Sequence, residues 1–103
     1  MERDGIAEVG IDDQQRLYVL PETRSFPYIC REALEVHWEP NGKYLYAPAP
    51  PRASLKPAAW WFNQILSAAR EQACELQLTE KTRWHQVPDT LKRELVGNGV
   101  ANA

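Results

Sequence analysis

The chain of 103 residues is poor in the residues that build metal and redox centres: it has two cysteines, Cys30 and Cys74, and two histidines, His37 and His85. Neither pair falls in a Cys-x-x-Cys, His-x-x-x-His or His-Glu-x-x-His spacing, so no zinc framework is written into the sequence and no cofactor is expected. A Cys30–Cys74 disulfide needs an oxidising compartment and a fold that joins the two; both thiols are expected reduced. The five glycines are scattered, which excludes a phosphate-cradling loop, and no Gly-x-Ser-x-Gly elbow occurs. An excess of one charge is also missing, with 12 Lys and Arg against 14 Asp and Glu. That balance argues against a nucleic-acid partner, which would need a basic surface to neutralise phosphates. No apolar run approaches the roughly 20 residues of a membrane span, and the charged start Met1-Glu2-Arg3-Asp4 is not followed by the apolar core of a secretory signal. The expectation is a cytoplasmic protein with no membrane partner.

What the sequence does contain is enough to fold. Hydrophobic residues make up 44% and include four Trp, four Tyr and two Phe, ample material for one core and too short a chain for two. Residues 1–103 therefore read as a single domain. Gly5 to Ile11 places Ala7, Val9 and Ile11 at the period of two that a half-buried strand requires. Asp12 to Gln15 suits a turn, and Arg16 to Leu20 reads as a second strand, antiparallel to the first. Pro21 and Pro27 bar a central strand from the next stretch. Pro21 to Tyr28 is expected to be an ordered loop pinned by Phe26 and Tyr28.

Glu35 to Trp38 and Lys43 to Ala47 read as a third and fourth strand joined by Glu39-Pro40-Asn41-Gly42, where Asn-Gly tolerates positive φ. Whether that loop holds two residues or four, Val36, Trp38, Leu45 and Ala47 share one face. Glu35, His37, Tyr44 and Tyr46 share the other. Pro48 to Pro51 breaks regular structure. Pro57 to Glu75 reads as the main helix, with Pro57 in its first turn, Ser54 upstream as a capping aid, and Trp61, Phe62, Ile65, Leu66, Ala69 and Ala73 on one stripe. Leu76 to Thr79 is a short strand, Pro88 to Leu95 a short helix, and Val96 to Ala103 a tail expected to fray. The fold class is α+β: an antiparallel sheet of four to five strands packed on one long helix, with a short C-terminal helix. Val9, Ile11, Val19, Val36, Trp38, Leu45, Trp61, Ile65, Leu66 and Leu78 should form the core.

No constellation demands catalysis. Cys30 with His37 is the one nucleophile–base pairing worth naming, and Cys30 reads more simply as a small buried apolar residue. Arg24, Tyr28 and Arg31 form the densest polar and aromatic cluster. They read either as an anion clamp bordering a pocket with His37, or as ion pairs with Glu22, Glu32 or Glu35. Adjacent helical residues point about 100° apart, so Trp61 faces the core while Trp60 takes its edge or an interface. One long helix covers one sheet face. The face bearing His37, Tyr44 and Tyr46, with Tyr18 or Leu20 as further candidates, is left for a partner, or for cover by Trp84, Val87 and Leu91 of the C-terminal segment.

The run Leu17-Tyr18-Val19-Leu20-Pro21-Glu22-Thr23-Arg24-Ser25-Phe26-Pro27-Tyr28, followed by Val36-His37-Trp38, Tyr44-Leu45-Tyr46 and Trp60-Trp61-Phe62, resembles the small orphan proteins encoded by bacterial integron gene cassettes, the mobile-metagenome set. The resemblance spans most of residues 5 to 79 and carries no catalytic motif. It implies a bacterial cytoplasmic protein, a compact α+β fold, frequent homo-oligomers and no assigned biochemical role. The expected function is a non-enzymatic binding or protein-interaction module acting as a homo-oligomer, with a dimer favoured and Trp60 or Trp84 as anchor residues. The alternatives are an immunity or antitoxin-like protein that blocks a partner, and a small-ligand binder or small enzyme with its pocket near Arg24, Tyr28, Arg31 and His37.

Overall fold

The period-two pattern of the N-terminal third becomes a hairpin. In the computed structural model, which describes residues 1–29 and 34–97, β1 (Glu2–Ile11) and β2 (Leu17–Pro21) pair antiparallel. Val9 lies opposite Val19, Gly10 opposite Tyr18 and Ile11 opposite Leu17. Asp12 fixes the turn: its carboxylate accepts the amides of Gln14 and Arg16 at 2.9 Å and Arg16 Nε at 2.8 Å, an aspartate standing in for a backbone turn. The ladder slips between Ile6 and Glu8. This bulge resets the parity of β1, so Ile6 is fully buried in place of the expected Ala7,.

β3 (His37–Glu39) and β4 (Tyr44–Tyr46) are shorter than the sequence pattern suggests. They pair His37 with Tyr46, Trp38 with Leu45 and Glu39 with Tyr44, and β4 joins β2 by Tyr18–Tyr46 and Val19–Leu45. The intervening turn closes with the Lys43 amide on the Glu39 carbonyl at 2.7 Å. Positive φ falls on Lys43, at 61°, and on neither Asn41 nor Gly42. Gly42 contributes room instead, because a Cβ there would run into the Tyr44 ring.

After a short 3-10 helix, Arg52–Leu55, the main helix α1 (Ala58–Glu71) starts one residue beyond Pro57, with no side-chain cap; Ser54 belongs to the 3-10 turn. The helix ends four residues before the expected Glu75. The amides of Gln72 and Ala73 bond back to Ala69 and Arg70 at 2.9 Å, Ala73 turns left-handed with φ 61°, and the chain leaves as β5 (Cys74–Gln77). Helix propensity loses here to tertiary pairing: β5 gains a ladder with Glu2–Gly5 and buries Cys74 and Leu76,. Ala73, expected on the apolar stripe, is exposed. The helix is thus about 21 Å long rather than about 28 Å.

β5 and β6 (Arg83–His85) both run parallel to β1, along its first and second halves. The sheet is therefore six-stranded and mixed, in the order β3-β4-β2-β1-β5 with β6 also on β1. Sequence alternation reports which face a residue takes and is silent on strand direction, which is why the antiparallel expectation failed at this edge. Between β5 and β6, buried Thr82 donates its hydroxyl to the Ile6 carbonyl at 2.6 Å, beside the bulge. A last helix, α2 (Asp89–Gly97), buries Leu95 and packs on α1. Val96 and Gly97 are its final residues; the rest of the tail expected to fray lies outside the described residues.

Register sorts the side chains. Trp84, Val9, Val19, Leu45 and Trp38 succeed one another across β6, β1, β2, β4 and β3 on one face. This face meets Trp61, Phe62, Ile65 and Leu66 of α1 and Leu95 of α2. The expected core is largely met; Ile11, Trp38 and Leu78 are partly buried against it. Trp84, Val87 and Leu91 all pack on this helix side, so they do not fold over the tyrosine-bearing face.

Candidate functional site

The opposite face carries two outward rows. His85, Gly10, Tyr18, Tyr46 and His37 lie in register across five strands, and Arg83, Glu8, Leu20, Tyr44 and Glu39 form the row beside them. The arrangement follows from strand parity, and it brings together three of the residues singled out in the sequence: His37, Tyr44 and Tyr46. All are half-buried by one another. The His37 and Tyr46 rings stack at 5.1 Å with 19° between planes. Tyr46 meets Tyr44 at 5.9 Å, and Tyr44 meets Tyr18 at 5.2 Å. The Arg16 guanidinium sits 4.3 Å from the Tyr46 ring centroid while its Nε holds Asp12, a cation–π contact added to an ion pair.

Tyr18 occupies the space above Gly10, where any Cβ would collide with its ring. From there its hydroxyl donates to Glu8 Oε2 at 2.5 Å, and Glu8 Oε1 accepts Arg83 Nε at 3.2 Å. Burial, then the hydrogen bond and charge of Glu8, push the Tyr18 phenol well above its ordinary value, so it stays neutral and donating. For Asp12, partial burial pulls upward, but the hydrogen bonds from the Arg16 amide and guanidinium and from the Gln14 amide, with Arg16's charge, outweigh it and hold the carboxyl low,.

Where the rows meet the hairpin turn, the surface dips into a concavity of about 370 Å³ lined by Glu8, Asp12, Asp13, Tyr18, Leu20, Gly42, Tyr44 and His85. Its volume falls in the range of roughly 300–1,000 Å³ typical of small-molecule sites. Among the described residues, no three His, Cys, Asp or Glu side chains converge as a metal site. Sequence reasoning missed Glu8, Asp12, Asp13 and His85. Glu8 was legible in principle, since it alternates outward with Gly10; His85 was not, because nothing local announces the parallel pairing of β6.

The other candidates lie apart from this face. Arg24 pairs with the Glu2 carboxylate and reaches the Gln72 carbonyl at 3.4 Å; of its three expected acidic partners, Glu32 lies outside the described residues. Glu35 instead pairs with Arg52, whose hydrogen bond holds its carboxyl low. Tyr28 is 84% exposed, whereas Phe26 is fully buried, edge-on to Trp38; the loop has one aromatic anchor rather than two. Arg31 and Cys30 lie outside the described residues. Trp61 is buried and donates its indole N–H to the Ala53 carbonyl at 2.8 Å, while Trp60 is 37% exposed beneath Lys56. Trp84 is half-buried, with Lys92 Nζ 5.5 Å from its ring. Cys74 is buried with its thiol free; burial pushes the thiol upward against the pull of Arg24, which makes it a poor nucleophile.

A tyrosine-rich outer face set on a mixed sheet does not by itself name a family; similarity does. The model of the family described as Integron Cassette Protein Hfx_Cass5 matches residues 4–82. The chain belongs to the Hfx_Cass5 integron cassette family. The matched span runs from the buried Asp4 of β1 to Thr82, taking in the hairpin, the β3–β4 pair, α1 and β5. A solved structure from the mobile metagenome of North West Arm Sewage Outfall, Integron Cassette Protein Hfx_Cass5, is 39% identical over 100% of this chain and 99% of that one, with a TM-score of 0.47. No match is found among curated proteins. The function of the Hfx_Cass5 family is unknown. Among the described residues, no helix is long and apolar enough to cross a membrane.

Proposed function

We propose that this Hfx_Cass5 family member is a non-enzymatic binding module that captures its ligand on the sheet face opposite α1. The observation that carries the reading is the joining of a ligand-sized concavity to a ring array from Tyr18 through Tyr44 and Tyr46 to His37. Tyrosines combine apolar area with a hydrogen-bonding tip, the mixture that binding surfaces favour. The rings brace one another, so little side-chain freedom is lost on binding. A fragment survey of the labelled chain by amide NMR tests this. Shifts should cluster at Tyr18, Leu20, Tyr44 and His85. Hits confined to the helix side, or none at millimolar concentration, would end the reading.

A second reading is a homodimer. The flatter half of the face, where His37 stacks on Tyr46, favours it, because paired aromatic residues suit the centre of an isologous contact. Light scattering across a hundredfold range of concentration decides this point: a strict monomer throughout removes it, and the ligand reading is unaffected.

A further inference from the structure

We infer that the concavity beside Tyr18 and Tyr44 takes a small organic cation, an ammonium or amidinium group on an apolar body. The inference rests on the binding reading above and names its ligand class. Among the described residues, the lining supplies the carboxylates of Glu8, Asp12 and Asp13 and holds no lysine or arginine. Two guanidinium groups stand next to it, Arg16 on Asp12 and Arg83 on Glu8. They answer two of the three carboxylates. Asp13 has no hydrogen bond or ion pair among the described residues, so one of the three carboxylates is left without a cationic partner there.

Charge alone would suit an inorganic ion equally well, and the geometry separates the two. A metal ion needs converging ligands, and none converge among the described residues. The walls are instead two tyrosine rings 5.2 Å apart and tilted by 52°, with Leu20 alongside. Ring faces attract a cation through their quadrupole, and apolar walls favour a ligand that carries hydrocarbon with its charge. The hydrogen bond from Tyr18 to Glu8 adds to this, since a phenol that donates to a carboxylate gains electron density in its ring. An anion would face the uncompensated carboxylate and is disfavoured by the same arrangement.

The test is an NMR titration of the labelled 103-residue chain near neutral pH with three probes of one shape: 4-phenylbutylammonium, 4-phenylbutan-1-ol and 4-phenylbutyrate. The ammonium probe is expected to bind at least tenfold more tightly than the alcohol, with butyrate weakest and with shifts centred on Glu8, Tyr18, Leu20 and Tyr44. Asp13→Asn, an exposed turn substitution that spares the core, should weaken the ammonium probe at least threefold and leave the alcohol unchanged. Equal binding of ammonium and alcohol at this site would overturn the cation inference while leaving the binding reading intact. An ammonium probe that gives no shifts, or shifts elsewhere, would also overturn it; the fragment survey then judges the binding reading separately.

Discussion

Tyr18 lies across Gly10, its opposite number on β1, and uses that missing side chain to bring its hydroxyl to Glu8. The open face depends on this pair. Gly10→Ala should fold, because the ring's far end can swing outward, but at a cost of about 1–2 kcal/mol for overpacking and the lost bond. Thermal unfolding measures the cost. The amide shifts of Glu8 and Tyr18 should move together, and an unchanged Tyr18 environment would show that the ring does not need the space.

Alkaline titration follows from the same bond. An unfolded tyrosine loses its proton near pH 10.0, and in the fold Tyr18 holds its proton to higher pH. The folded state then binds more protons, so stability falls as pH rises above about 10 through the folded value, and the contribution is fully present below 10. Urea unfolding at pH 8 and pH 11 should show a larger loss in the native sequence than in Tyr18→Phe. Equal losses would contradict the assignment.

Ala73 is an alanine where a glycine belongs. Its φ of 61° is the left-handed conformation that ends α1 and launches β5. Ala73→Gly should raise stability by about 1 kcal/mol by relieving the Cβ clash at a helix C-terminus, read as a higher urea midpoint with an unchanged slope.

The loop after β2 hangs on one ring. Phe26→Ala removes a fully buried side chain and should cost about 3–5 kcal/mol. Tyr28→Ala touches a side chain that is 84% exposed and should stay within about 0.5 kcal/mol. Denaturation of the two variants side by side checks the contrast.

These elements also show where sequence reading stops. The facing of β3 and β4 was legible because parity survives either loop length, and alternation by itself puts His37, Tyr44 and Tyr46 on one surface. The helix was legible over Trp61 to Ala69, where apolar spacing and propensity agree. Its end was not, because Cys74 and Glu75 suit a helix locally and are recruited by the distant edge Glu2–Gly5. The bulge at Ile6 and the parallel seat of β6 are likewise products of pairing across most of the chain. For that reason the concavity was only half visible. Its tyrosines followed from alternation, but Asp12, Asp13 and His85 come from a turn and a strand whose positions depend on long-range register.

The most direct measurement is the accessibility of the tyrosine rings in solution, read as line broadening by a soluble gadolinium chelate at micromolar protein. The rings of Tyr44 and Tyr46 should broaden strongly while those of Phe26, Trp61 and Phe62 stay sharp. Sharp Tyr44 and Tyr46 signals at a concentration where the protein is monomeric would mean that the chain covers this face itself, leaving no binding surface there.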